Sequence, residues 1–379
     1  MATSSAIPKS YTAVVIKQPG PDARISLEQR SVPRPGPGEL LVCLSHSGVC
    51  HGDVSLVYDD WRELKFTIEN SETPGHEGIG TVVSVGQGVH NFRVGDRTGV
   101  RWIYSVCGSC RQCLNKVIFL QRWLMDEKLT TIQREERCPN QVHSGRQVNG
   151  SFQQYILVPA SNSLHIPTGI KSEDAGPLLC AGVTMYRALK FSRLEPGEWV
   201  AITGGGGGLG HLGIQFAKAM SLRVIAIDTG SDKEALCRQF GADDFLDYAT
   251  TKDLVGKVMS LTDGGANAVV AVAASKASYI QGAAMLAVGG CLTCIGLPHD
   301  KLDMPMTVAE CIGKSCHIIG INAGSLADTE ETLQFVAKHD IKVSTQVFQM
   351  SQAEEVFQKL AAGTIVGRAV LDLRTGLDV

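Results

Sequence analysis

WVAITGGGGGLGHLGIQFAKAM, residues 199–220, followed by RVIAID at 223–228, is the stretch that decides the fold. Trp199 to Thr203 reads as an apolar strand. It runs into five glycines, Gly204 to Gly208, and then into a segment whose apolar residues Leu209, Leu212, Ile214, Phe216 and Ala219 recur at helical spacing. Gly205, Gly207 and Gly210 fit the pattern Gly-x-Gly-x-x-Gly, with Gly208 in the same loop. The first makes the tight turn, the second lets backbone approach a pyrophosphate, and the third lets helix and strand pack closely. The helix start adds N–H groups and a partial positive charge. Asp228 closes the next strand, 18 residues past Gly210. Its carboxylate can accept from both hydroxyls of an adenosine ribose and repels a 2′-phosphate, which favours NAD over NADP. Lys233 is close enough in sequence to reach the same ribose. Five glycines alone make a flexible turn; the order strand, glycine loop, helix, strand, Asp makes a dinucleotide site.

Downstream, EALCRQFGA reads as a helix ended by Gly241, and ANAVVAVAA and GGCLTCIGL as strands buried on both faces of a parallel sheet. Residues 183–322 therefore form a doubly wound α/β coenzyme domain. Upstream, residues 1–182 are rich in Gly, Pro and β-branched residues. YTAVVI, ELLVCLSH and GIGTVVSVG read as short strands, punctuated at PRPGPGE, VGQGV and VGDRTG. An all-β, barrel-like unit is expected there. The tail, 323–379, carries two helical patterns, DTEETLQFVAKH and AEEVFQKLAAG, and a last strand, GRAVLDL, and returns to the first domain.

The chain has 379 residues, 44% hydrophobic and 19% charged, with a net charge of −3, so it reads as globular and large enough for two domains. It has no basic run, which argues against nucleic acid and anionic membranes as partners. The N-terminal residues lack the apolar core of a signal peptide, and Met285 to Pro298 is too short and glycine-rich to span a bilayer. A cytoplasmic location is expected. The 12 cysteines then suggest metal ligands and buried thiols rather than disulfides.

Three motifs carry donors: Gly48-Val49-Cys50-His51-Gly52-Asp53, Gly75-His76-Glu77-Gly78 and Leu179-Cys180-Ala181-Gly182. Two thiolates and one imidazole from Cys50, His76 and Cys180 would leave zinc a fourth position for water or substrate, the catalytic arrangement. Taken singly, each has a plainer reading as a buried thiol or a hydrogen-bonded core histidine, and spacing alone does not join them.

SGVCH-D, GHEG, CGSCRQC, GSFQQY, LCAGVT, AKAM, DGGA and IVGR together resemble the zinc-containing medium-chain alcohol dehydrogenases (medium-chain dehydrogenase/reductase class), in their yeast-type, fungal branch. The resemblance covers nearly the whole chain. It implies a GroES-like β-barrel catalytic domain joined to a Rossmann coenzyme domain, an NAD-linked oxidoreductase acting on an alcohol or its aldehyde or ketone, and a homo-oligomer, tetramer or dimer. It implies that Cys50, His76 and Cys180 hold the catalytic zinc, that Glu77 approaches the metal during ligand exchange, and that Asp53 orients the zinc histidine. His51 and Arg368 match positions that neutralise the coenzyme pyrophosphate. Thr184, Ile295 and Leu297 match positions beside the nicotinamide. Trp61 and Trp102 match the walls of a narrow substrate pocket.

The chain departs from the family's proton relay in two places. The hydroxyl residue expected just before Asp53 is Gly52, and the histidine that ends the proton relay is replaced by Ser55. Such acid–base help is worth roughly 10²–10⁴-fold. Water can fill the space at Gly52, or the space admits a bulkier, specialised substrate, a fungal pathway aldehyde or ketone rather than ethanol. Two other readings compete: a non-catalytic NAD- and zinc-binding scaffold, and a quinone or enoyl reductase of the same fold. The zinc set and Asp228 speak against both.

Cys107, Cys110 and Cys113 form Cys-x2-Cys-x2-Cys, which suggests metal. The next cysteine, Cys138, follows after 24 residues, a longer gap than the family's. The residues after Cys138 resume the family pattern, making it the fourth ligand of a structural zinc. The intervening NKVIFLQRWLMDEKLTTIQREER reads as a helical lobe extension, a docking surface or a translated intron. Lengthening the loop costs on the order of 1 kcal/mol, too little to break the site.

Overall fold

The computed structural model describes residues 7–114, 116–120, 129–299 and 301–374. The chain divides into two compact units. One comprises Met1–Cys180, Ser325–Ala337 and Thr345–Val379; the other comprises Ala181–Gly324 and Lys338–Ser344. The short segment 338–344 thus belongs to the second unit, within a tail that the sequence assigned wholly to the first.

The first unit is organised by the 11-residue strand Glu39–Val49. It pairs antiparallel with Tyr155–Pro159, Glu77–Val85 and Arg368–Asp372, and Thr345–Gln349 and Arg97–Gly99 complete the sheet. Val14, Leu40, Val42, Leu44, Phe152, Val356, Phe357 and Leu371 make its core. The register sets Gly48 opposite Glu77. Glycine is required at that point, because a Cβ on Gly48 would lie 2.0 Å from a Glu77 carboxylate oxygen.

The all-β expectation for this unit needs correction. Helices His51–Tyr58 and Ser172–Pro177 stand among its strands, while helix Ala353–Ala361 is the one read from AEEVFQKLAAG in the tail. HGDVSLVY is a poor helix former, with a glycine and two valines. It is started by its cap: the Cys50 sulfur accepts from the Gly52 N–H at 3.4 Å, and the Asp53 carboxylate accepts from the Cys50 N–H at 3.0 Å.

The insertion after Cys113 is also corrected. Much of its described part is extended: Lys116–Leu120 and Leu129–Gln133 pair antiparallel as a ribbon, followed by the 3₁₀ turn Glu135–Arg137. Both segments are rich in β-branched residues, which favours strand over helix. Residues 115 and 121–128 of the insertion lie outside the described residues.

The second unit carries a six-stranded parallel sheet in the order Asp244–Asp247, Arg223–Asp228, Trp199–Thr203, Ala266–Ala271, Leu286–Cys294, His317–Gly320. In chain order this is 3-2-1-4-5-6, the doubly wound arrangement whose direction reverses beside the first strand. Helices Val183–Ser192, Leu254–Leu261 and Lys276–Ala284 join those read from the sequence. Among the described residues no helix is long and apolar enough to cross a membrane.

Candidate active site and structural metal centre

Cys50, His76, Glu77 and Cys180 come together from three chain segments of the first unit. Each offers one ligand atom, and these atoms all lie within 4.8 Å of one another. Cys50 caps its helix, His76 directly precedes the strand Glu77–Val85, and Cys180 sits in the π-helical turn Leu178–Gly182. Pro177, just before that turn, has no N–H to continue a regular ladder. The wider turn after it matches the tendency of π-turns to occur at functional sites.

Asp53 holds the arrangement. One of its oxygens lies 2.8 Å from His76 Nδ1 and the other accepts from the Cys50 N–H. Asp53 is 1% exposed, so the carboxylate acts in a dry setting. It fixes the imidazole with Nδ1 donating, leaving Nε2 as the electron-pair donor, 3.3 Å from Cys180 Sγ.

The protonation pattern fits a cation site. A hydrogen bond from the Cys180 thiol, with help from His76, holds Cys50 well below the usual thiol range. Cys180 is pushed well above it by Cys50 and by burial. Burial opposes a charge on His76, yet Asp53 and Cys50 raise it well above its ordinary value. Two partly buried thiols share what only one can release, until a cation balances the second. Two sulfurs and an imidazole are the donors zinc takes in open, catalytic sites.

Burial raises Glu77 to about 7 even though the Arg368 guanidinium opposes the rise. Arg368 donates from Nη2 to both Glu77 oxygens, and its Nε has no partner. A Cβ on Gly176 would lie 2.5 Å from the Glu77 carbonyl oxygen, so two glycines from distant segments make room for this residue. His51 is exposed, and its Nδ1 lies 3.3 Å from the Oγ of buried Ser55, one helical turn on.

Trp61 and Trp102 belong to one aromatic group. Phe66, which the sequence reading passed over, stands between them with ring centroids 5.8 and 6.0 Å away. Trp102 meets the ligand His76 edge-on at 5.1 Å and stacks on His143 at 4.6 Å. The Arg146 guanidinium sits 4.5 Å above the Phe66 ring and pairs with Glu69. The available signal was an aromatic residue in the loop between Trp61 and His76. A Cβ on Gly52 would meet only Cys50 Sγ and the Trp61 ring, each at 3.7 Å. Gly52 therefore leaves room for at least a Cβ between Cys50 and Trp61.

Cys107, Cys110, Cys113 and Cys138 also converge, with their sulfurs within 4.8 Å of one another. The Ser109 and Cys110 N–H groups lower Cys107 to about 5, while burial and Cys110 push Cys113 up to about 12. The 3₁₀ turn Glu135–Arg137 delivers Cys138 after the ribbon, so the insertion leaves the four-sulfur cluster closed. Four cysteine sulfurs suit a closed, structural zinc.

In the second unit, Asp228 accepts from the Gly206 N–H at 3.0 Å, from the Thr229 N–H at 2.9 Å and from Lys233 Nζ at 3.0 Å. A Cβ on Gly210 would strike the Gly204 carbonyl oxygen at 2.2 Å, whereas one on Gly207 would meet only that oxygen, at 3.3 Å. Gly210 is thus needed by the fold itself, whereas a Cβ at Gly207 would ask the Gly204 carbonyl to give by only a few tenths of an ångström. Gly205 and Gly208 complete the loop. Thr184 is buried near the start of Val183–Ser192; Ile295 and the exposed Leu297 follow the end of strand Leu286–Cys294.

Family models match the chain in two pieces, an alcohol dehydrogenase GroES-like domain over residues 36–168 and a zinc-binding dehydrogenase over residues 208–338. The chain is 39% identical over 383 residues to alcohol dehydrogenase 2 of Emericella nidulans, covering 97% of this chain and 98% of that one. It is 36% identical over 367 residues to an alcohol dehydrogenase of Schizosaccharomyces pombe, covering 97% and 99%. Among solved structures it is similar to acetophenone reductase of Geotrichum candidum in complex with NAD, with a TM-score of 0.80, 26% identity, and 97% and 98% of the two chains covered. Fold, donor set and relatives together define a zinc-dependent alcohol oxidoreductase. The chain belongs to the zinc-containing medium-chain alcohol dehydrogenases, in their fungal branch.

Proposed function

We propose that the chain interconverts an alcohol and its aldehyde or ketone by reversible hydride transfer with NAD, with Cys50, His76 and Cys180 as the ligands of a catalytic zinc. The observation that carries this is the convergence of two sulfurs and one imidazole beside buried Glu77, with Asp53 fixing the imidazole. Zinc bound by this set supplies a Lewis acid that polarises an alcohol oxygen and eases loss of its proton.

The chain's own residues do the rest. Asp53 keeps His76 Nε2 turned to the ligand cluster. Glu77, balanced by Arg368, is the carboxylate available for ligand exchange. Trp61, Phe66 and Trp102 shape the pocket and keep water out. Asp228 and Lys233 select NAD by its ribose; Gly205, Gly207, Gly208 and Gly210 take its pyrophosphate. His51 and Arg368 are the basic residues that match the family's charge-neutralising positions. Thr184, Ile295 and Leu297 attend the nicotinamide. Cys107, Cys110, Cys113 and Cys138 hold a second, structural zinc.

The gap at Gly52 and the serine at 55 favour a substrate bulkier than ethanol, which fills the gap or carries its own proton acceptor. A cytoplasmic homo-oligomer is the expected state. The test is zinc per subunit by elemental analysis, with NADH oxidation on the same sample against small, aromatic and branched aldehydes and ketones. Two zincs with turnover support the whole reading, and one zinc with turnover removes the structural site alone. Bound zinc with no turnover on any carbonyl overturns the enzyme reading.

A further inference from the structure

Twelve cysteines are present, and the two metal centres account for seven. Of the others, Cys311 and Cys316 lie together in the second unit with their sulfurs 3.5 Å apart, and Met306 Sδ is 3.4 Å from Cys316 Sγ. We propose that Cys311, Cys316 and Met306 form a binding site for a soft monovalent metal ion, copper(I) in type.

The local fold brings the three sulfurs together. Met306 precedes helix Val308–Lys314, whose start is fixed by a reciprocal cap between Thr307 and Glu310. The helix ends at Ser315, which takes the left-handed conformation at φ +49. That turn folds the chain back, so the Cys316 N–H donates to the Cys311 carbonyl at 3.3 Å and the second thiol lies over the first. All three residues are partly exposed, which leaves a route for an ion. The sulfur spacings match the 3.5–4.0 Å found within the four-cysteine cluster.

The donor set decides which metal. Two thiolates and a thioether are soft, polarisable ligands that select copper(I). Among the described residues no imidazole or carboxylate joins them to make a harder site. Zinc, which takes four ligands in closed sites, is poorly served by two thiols and a thioether. An arriving cation displaces protons, one from each thiol that ligates, to solvent.

The test uses the full-length zinc-loaded protein, titrated anaerobically with copper(I) held by bicinchoninate while released zinc is read with a chromophoric indicator. One equivalent of copper(I) is expected to bind before any zinc leaves. Cys316→Ser and Cys311→Ser should each abolish that first equivalent without changing zinc content. Met306→Leu, which keeps the thiols and the apolar packing, should weaken it by about tenfold or more, as loss of even an outer partner does at metal sites. Uptake that is unchanged in the serine variants, or matched by zinc release from the start, overturns the site. So does an unaltered affinity in Met306→Leu, which would leave a simple dithiol open to disulfide formation.

Discussion

Replacing Asp53 by Asn separates a positioning role from bulk. The side chain keeps its volume but loses its charge, and an amide can accept from only one of the two groups that the carboxylate now serves, His76 Nδ1 at 2.8 Å and the Cys50 N–H at 3.0 Å. A hydrogen bond to a charged group contributes about 1.5–3 kcal/mol and a neutral one about 0.5–1.5 kcal/mol. Losing the charge thus costs roughly 1–2 kcal/mol at His76, and facing an amide N–H toward the other donor costs more. At 1.4 kcal/mol per tenfold, zinc affinity should fall about 10- to 100-fold, the range seen when such outer partners are removed. The assay is competition with a graded series of chelators, followed by zinc release. The wild type should give two phases, one per metal cluster. Asp53→Asn should move only the phase that tracks activity, leaving the four-cysteine phase in place. An unchanged activity-linked phase would refute the claim that Asp53 governs the imidazole.

Cys138→Ser should remove one zinc per subunit and the slower chelator phase while the activity-linked phase persists; loss of both metals together would contradict two independent clusters. Gly52→Thr places its Cβ at ordinary contact distance, 3.7 Å from Cys50 Sγ and the Trp61 ring, and should raise ethanol turnover by about tenfold or more while hindering bulkier substrates. No change in either would remove the basis for a specialised substrate. Asp228→Asn should cut the preference for NAD over NADP by about 10- to 100-fold, through loss of charge-assisted bonds to the ribose, as read from the two kcat/KM values. His143 is held below its ordinary 6.5, mainly by burial, so the unfolded chain binds its proton first. The stability it contributes is complete above about pH 6.5 and is lost as pH falls through its folded value. His143→Phe should therefore flatten the fall in Tm between neutral and mildly acid pH; an identical slope would show that other groups govern it.

The relative weight of glycines in this chain follows from what surrounds each one. Gly48 and Gly176 make space for Glu77, and Gly210 lets the coenzyme loop close on its helix. Alanine at any of the three would force backbone or a buried ion pair to move. At Gly207 the fold should tolerate alanine, and the loss should fall on coenzyme affinity.

Local periodicity and local chemistry made much of this protein legible. The parallel sheet could be read because its strands are continuous apolar runs and because WVAIT, the glycines and Asp228 are neighbours in sequence. The donors could be named because, of 12 cysteines and 10 histidines, those in question sit in compact motifs that resemble the family's. The helix His51–Tyr58 escaped notice because its residues do not favour a helix, and it exists through the cap that Cys50 and Asp53 make with each other. The ribbon at Lys116–Leu120 and Leu129–Gln133 was open to a helical reading because short apolar runs are ambiguous until a partner strand is known. Phe66 and His143 acquire meaning only from the rings they meet. Arg368 and Glu77 are 291 residues apart, and nothing in either segment announces that one neutralises the other in a dry interior. The sequence by itself determined the fold class and the coenzyme loop, because these are encoded in neighbouring residues, and it named candidate metal donors only through the resemblance of several separated motifs taken together. Tertiary structure alone decided which charges pair, which glycines must stay glycine and which aromatic rings meet one another, because burial and contact arise between segments that the chain keeps far apart.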